Sequence, residues 1–263
     1  MAQYLGVFFT NGVVVGCIYA LIALGFNVIY STTGIINFAQ GEFVMIGGIT
    51  SAWAFESLKL PLILAVPIGI VVAALVGLLS YLLGIRPAKN ASPVTYIIIT
   101  IAISIVLKCA ASFAFVVKPY VVPKFIEGSV AVGAGQVDKH SLLVIPVVAA
   151  CMLLLLVFFK RTSAGRNMRA CAENREGARL CGISVESASA RSFAIGAALA
   201  GVGGVLITSM YSMQFDGGTM IGLKGFSAAI LGGLGSPTGC VAGGLMMGLL
   251  EQGIKLKSPE YAD

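Results

Sequence analysis

Apolar runs close to 20 residues long recur along the whole of this 263-residue chain, and no other feature limits its fold so strongly. A run of that length crosses the ~30 Å hydrocarbon core of a bilayer as an α-helix, which pairs every backbone polar group within the segment. Transmembrane strands would need short segments of alternating polarity instead. The pattern therefore predicts an all-α, polytopic transmembrane bundle. Composition agrees, with 58% hydrophobic and 11% charged residues, where a soluble domain carries roughly a quarter charged residues. Mean hydropathy is +0.97. The spans are read at 12–30, 43–55, 61–83, 93–109, 142–159, 193–210 and 241–250, the last approached from Phe226. The first residues lack a basic leader and a small-residue cleavage site, so they read as a retained first span.

The net charge of +6 sits in loops, where it reads as the positive-inside bias and not as a nucleic-acid surface. The turn 86–89 and the loop 160–179, within the insert 160–184, are the basic loops without compensating acid. Both are placed in the cytoplasm, and the segment 118–140 then faces outward. Tyr30 and Trp53 suit interfacial positions. Lys108, near the outer end of its span, is expected to snorkel to the headgroups. The lone His140 reads as a surface residue of the outer loop, Asp216 as a turn residue and Glu251 as the cap of the last span. Six cysteines, with no C-x-x-C pair among them, read as reduced structural thiols.

Two regions interrupt the spans, STTGIINFAQGEFVMIGG at 31–48 and FDGGTMIGLKGFSAAILGGLGSPTGCVAGG at 215–244. Each mixes glycine with polar residues in apolar surroundings, one in each half of the chain. Unwound backbone is tolerated at membrane depth only where protein or a water-filled path satisfies it, so paired interruptions point to a translocation path. Glycine also permits close helix packing, and small-xxx-small spacings occur at Gly12/Gly16, Ala200/Gly204, Gly235/Gly239, Gly239/Gly243 and Gly244/Gly248. For the second region both readings stand. In the first, Asn37, Gln40 and Glu42 fall within six positions, and a carboxylate in lipid is expensive enough to need a cavity, a partner or the interface. Glu42 either lines the path with Asn37 or sits near a helix N-terminus, where its charge favours the dipole.

The insert KRTSAGRNMRACAENREGARLCGIS holds six of the 17 Lys and Arg residues. A helix is expected from Ser163, its N-cap, to Gly182, its stop, with Glu176 and Arg179 paired across a turn. Met168, Cys171 and Ala172 form an apolar flank. That flank could fit a groove in a cytoplasmic protein, or the insert could rest on anionic lipid. No G-x-x-x-x-G-K-[ST] loop, G-x-S-x-G elbow, H-E-x-x-H or Cys/His cluster is present, so catalytic residues, bound cofactors and metals are not expected. The chain reads as a conduit without an engine.

The run GCIYALIALGFNVIYSTTGIINFAQGEFVMIGG at 16–48 resembles the N-terminal signature of permease subunits of bacterial branched-chain amino-acid ABC importers. RTSAGRNMRACAENREGARLCGI at 161–183 is similar to their cytoplasmic coupling segment. FAIGAALAGVGGVL at 193–206 and GLKGFSAAILGGLGSPTGCVAGGLMMGLLE at 222–251 match their C-terminal half in order and spacing. The resemblance implies one permease domain over residues 1–263 in the bacterial inner membrane. It also implies a second homologous permease subunit, two cytoplasmic ABC ATPases that bind the ATP, an extracytoplasmic substrate-binding protein, and surrounding lipid. It places the path at Asn37, Gln40, Glu42, Gly232, Gly233 and Gly235. ATPase coupling falls within about 160–190, at Gly165, Arg166, Arg169, Ala170, Glu173, Ala178 and Gly182. The chain departs from the pattern in two places. It ends at SPEYAD, where relatives carry a further span, and Gln40 replaces a His common among them, which argues against an essential ionisable group there. A urea or short-amide importer, a stand-alone channel or secondary transporter, and a non-transporting scaffold are the alternatives.

Overall fold

Lipid-facing helices, a buried central helix and a polar cap at each end make up the molecule. The computed structural model describes residues 5–88, 91–115, 117–132 and 135–257. Among these, five helices are long and apolar enough to cross a membrane. They are α1 (Leu5–Thr33), α3 (Leu62–Ser80, extended by a π-turn at Tyr81–Ile85), α4 (Pro93–Ala114), α5 (Lys139–Arg161) and α8 (Val185–Thr208). Shorter helices fill in around them: α2 (Gln40–Glu56), α9 (Gly217–Gly232) and α10 (Pro237–Lys257). Two short ones, α6 (Ser163–Glu173) and α7 (Arg175–Leu180), lie between α5 and α8. The strands β1 (Ser129–Val132) and β2 (Gly135–Asp138) pair antiparallel, Ser129 opposite Asp138.

Helix α1 is buried over 89% of its most apolar stretch, whereas the figure for α4 and α5 is 11%. The first is therefore a core element, and the other two turn side chains such as Ile98, Ile105, Leu153 and Leu154 toward lipid. Helices α8, α9 and α10 pack along α1, and α2 sits between α3, α8 and α9. Lipid offers no hydrophobic drive between helices, so close van der Waals contact must hold them. Small residues supply it here. A Cβ at Gly16 would lie 2.9 Å from the Leu245 backbone, and Gly48 meets the Gly204 carbonyl at 2.8 Å. The spacings at Gly12/Gly16 and Gly244/Gly248 thus meet each other across α1 and α10. Gly239 and Gly243 of α10 pack against Gly232 and Ala228 of α9, but Gly235 packs on nothing and forms a turn.

Charge collects at both ends. At one, Arg86 pairs with Glu186 at 3.2 Å, and Arg175 Nη1 donates to the Thr33 carbonyl at the end of α1 at 2.8 Å. At the other, Lys118 pairs with Glu56 and Lys124 with Asp138, each at 2.6 Å. Tyr120 there exchanges backbone hydrogen bonds with Met213. Arg86 and the insert share one end and the 118–140 segment the other, as the charge bias requires; Lys89 lies outside the described residues. These ion pairs are exposed and contribute at most about 1 kcal/mol each.

Both interruptions are narrower than the sequence suggested. The first is confined to 34–39, and the second resolves into two helices joined at 233–236. Glycine-rich sequence remains helical wherever a neighbouring backbone lies against it. Accordingly, Gly204→Val, which forces a side chain into the Val44 carbonyl, should separate α2 from α8 and cost about 1–3 kcal/mol. A lowered unfolding temperature in detergent would show it.

Candidate functional site

Helix α1 stops at Thr33, where Gly34 takes φ +71° and the chain turns back into the bundle. The returning segment is held at Phe38, whose N–H donates to Thr100 Oγ1 at 3.2 Å. Asn37 Oδ1 accepts from the Ala39 N–H at 3.1 Å and so starts α2. Gln40 Nε2 donates to the Gly196 carbonyl at 2.9 Å. Glu42 Oε1 accepts from Ser104 Oγ at 3.0 Å and from Thr219 Oγ1 at 2.8 Å. All three side chains are at most 1% exposed. Each keeps one polar atom without a hydrogen-bond partner, namely Asn37 Nδ2, Gln40 Oε1 and Glu42 Oε2. A buried orphan of this kind costs about 1–3 kcal/mol. Three fall on one segment of six residues, and Thr50 Oγ1 and Thr208 Oγ1 are the other buried side-chain atoms without a partner among the described residues. Glu42 also lies in the first turn of α2, where its charge favours the helix dipole. Ser104 and Thr219 line a cavity of about 200 Å3 between α4 and α9. Lys108 lines it too.

At the far end of α9, Gly233 and Gly235 take φ +87° and +104°, which form the turn into α10 and suit glycine alone. Gly232 packs against Gly239. The turn lies beside α1, where Asn27, with its amide oriented to satisfy the turn, accepts from the N–H groups of Gly235 (2.8 Å) and Ser236 (3.1 Å). Gly235, Asn27, Ser31, Met168 and Arg169 line a second cavity of about 390 Å3. The path residues thus form two groups. Thr219, which holds Glu42, and Gly233 are about 21 Å apart along α9 at the helical rise. Sequence reading overlooked Asn27, Ser104, Thr100 and Thr219. Asn27 had a usable signal, as an amide in the middle of an apolar span.

The insert is two helices, not one. Thr162, not Ser163, caps the first by accepting from the Gly165 N–H at 3.0 Å. Asn174, in extended backbone, breaks the helix and caps α7 by accepting from the Gly177 N–H at 2.9 Å. Gly165 packs under Phe158 and Phe159. Met168 and Cys171 of the expected apolar flank are buried, together with Ala178, so that part of it points inward, whereas Ala172 is exposed. Burial pushes the Cys171 thiol up, as suits a packed and unreactive group. Arg166, Arg169 and Glu173 are exposed, Ala170 is half-buried, and Gly182 closes α7 at φ +76°. The outward apolar residue is Leu180, 90% exposed.

Two other readings change. His140 is buried: Nδ1 accepts from the Phe125 N–H at 3.2 Å, so Nε2 carries the proton toward Ser209 Oγ at 2.6 Å. Glu251 caps nothing. It lies within α10, where Tyr19, Lys224 and Lys255 converge on its carboxylate.

The family model described as "Branched-chain amino acid transport system / permease component" matches residues 8–263. The chain belongs to this family. The permease is 35% identical to the high-affinity branched-chain amino acid transport system permease protein LivH of Escherichia coli K12, over 96% of this chain and 87% of that one. It is 33% identical to BraD of Pseudomonas aeruginosa with the same coverage. The probable branched-chain amino acid transport permease protein LivH of Methanocaldococcus jannaschii is 30% identical, over 88% of this chain and 75% of that one. With five helices able to span a membrane, the permease is an all-α, multi-pass membrane protein.

Replacing Asn27 by Ala leaves the Gly235 N–H without its acceptor and the Ser236 N–H with the Gly233 carbonyl alone. A loss of about 1–3 kcal/mol is expected, read as a lower unfolding temperature in detergent together with faster hydrogen exchange confined to 233–236.

Proposed function

We propose that this chain is the membrane-spanning permease subunit of an ATP-driven importer of branched-chain amino acids in the plasma membrane, with residues 1–263 acting as one transmembrane domain. The relatives' names favour branched-chain amino acids over urea or short amides. The observation that carries the coupling half of this reading is the orientation of α6 and α7. Met168 and Cys171 of their apolar flank are buried in the bundle, Arg175 is bonded to the end of α1, and Arg166, Arg169, Glu173 and Leu180 are turned outward at the same end. A helix pair resting on lipid would turn its apolar side out. This one is built to be gripped by another protein.

Two cytoplasmic ABC ATPases would grip it, binding and hydrolysing the ATP, while the permease itself carries no cofactor and catalyses no reaction. A second homologous permease subunit completes the membrane part, an extracytoplasmic binding protein delivers substrate at the end that carries β1 and β2, and lipid surrounds the rest. No nucleic acid is involved. The shared cavity of Arg169 and Gly235 gives a displaced coupling helix a direct route to the α9–α10 turn. The path follows Asn37, Gln40 and Glu42, then Gly232, Gly233 and Gly235. Access to it alternates as the helices rock.

Charge reversal at Arg169 and Glu173 together should abolish co-purification of the ATPases and leave membrane insertion intact; normal co-purification with normal uptake would reject the docking role. The double variant Asn37→Ala, Glu42→Ala tests the path separately. It should assemble with its partners and lose most uptake of labelled leucine. Parental uptake by that assembled variant would refute the path.

A further inference from the structure

The polar segment at Glu42 and the cavity beside it have a chemistry that neither helix packing nor coupling uses. The cavity of about 200 Å3 opens between α4 and α9. It is smaller than the ~300–1,000 Å3 that drug-sized ligands occupy, and suits a molecule of amino-acid size. Its wall has three parts. Phe26, Phe38 and Phe226 form an aromatic cluster, with ring centroids 5.5 Å apart for Phe26 and Phe226 and 5.3 Å for Phe38 and Phe226. Ser104 and Thr219 form the second part and hold the buried Glu42 carboxylate behind them by one oxygen, leaving the other without a partner. The third is Lys108, one turn of α4 beyond Ser104.

Lys108 is six residues from the end of α4, about 9 Å along the axis at the helical rise. Ser104 is deeper still along that axis. Lys108 therefore borders one small, largely apolar space, and the Glu42 carboxylate lies directly behind its Ser104 and Thr219 wall. That is the complement of a zwitterion with an aliphatic side chain, with an ammonium on one side and hydroxyl acceptors backed by a carboxylate on the other, and charge-assisted hydrogen bonds are the strong ones.

We propose that this cavity seats the transported amino acid, with Lys108 Nζ donating to its α-carboxylate, Ser104 Oγ and Thr219 Oγ1 accepting from its α-ammonium, and the three phenylalanines enclosing its side chain. The assignment rests on the import reading and adds to it a seat and its recognition chemistry. Glu42 is the positioning residue: buried behind the wall, its carboxylate takes the hydroxyl protons of Ser104 and Thr219 and leaves their lone pairs for the ligand.

The test uses the assembled permease–ATPase complex in detergent without the binding protein, so that the binding protein's selectivity does not enter. Thermal unfolding is followed against leucine, leucinamide, which lacks the carboxylate, and isocaproate, which lacks the ammonium. Binding to the folded state raises the unfolding temperature. The parent complex should respond to leucine most strongly. Lys108→Met should respond to leucine and leucinamide alike, with apparent leucine affinity roughly tenfold weaker, the loss of one charged hydrogen bond. Lys108→Arg should keep the parent's ranking. Glu42→Gln should no longer separate leucine from isocaproate, and should that variant not assemble, the Ser104→Ala, Thr219→Val pair should weaken the same distinction. A parent complex without a leucine response, or a Lys108→Met variant that ranks the three ligands as the parent does, overturns the seat. Uptake with the binding protein present keeps the two ideas apart: leucine import by the parent alongside either result leaves the import reading standing, whereas no amino-acid import removes that reading itself.

Discussion

Within hydrocarbon, no backbone N–H or carbonyl can go without a partner, and every departure from continuous helix in this protein is shaped by that demand. The chain leaves helical geometry at two places inside the bundle, and at both a side chain from another element supplies the missing bond. Thr100 takes the Phe38 N–H of the first break. Asn27 takes two N–H groups of the second. Neither break faces lipid on its own. Each is sheltered by helices that approach closely because glycine faces glycine or bare backbone along α1, α2, α8, α9 and α10. Close packing and local unwinding, which looked like competing explanations of the glycine-rich regions, are therefore two parts of one device.

Side-chain polarity follows a different rule. The Phe38 and Ala39 N–H groups find side-chain acceptors, yet three side chains of that segment keep an orphan atom. A fold selected for stability alone would replace such groups with apolar residues of similar shape, at little cost or at a gain. Asn37, Gln40 and Glu42 keep these atoms although all three side chains are buried. The polar ends show the opposite economy, with exposed ion pairs that orient the molecule and add little to its stability.

Much of this was legible in the sequence, and the exceptions have physical causes. Span positions follow from runs of apolar residues, which report membrane crossing directly. The basic turn and insert gave the orientation, and the interruptions were found because glycine beside polar residues cannot propagate a lipid-exposed helix. Family signatures gave membership. Sequence did not give direction. The apolar flank of α6 could be seen, but periodicity does not say whether a face meets a partner or its own bundle, and Met168 and Cys171 turn inward. His140 read as a surface residue because its partners, Ser209 and the Phe125 N–H, come from distant segments. Asn27 and Glu251 were misjudged for the same reason, since long-range pairing leaves no local trace. The break at Asn174 was hidden by residues that favour helix on either side of it.

The hydrogen bond from Arg175 to the Thr33 carbonyl bears on how motion enters the membrane. Helix α1 is the axis on which α8, α9 and α10 all lean, and its inner terminus is tethered to α7. Asn27 lies less than two turns above that tether, so α7 and the α9–α10 turn are joined through a single continuous helix and through no loop.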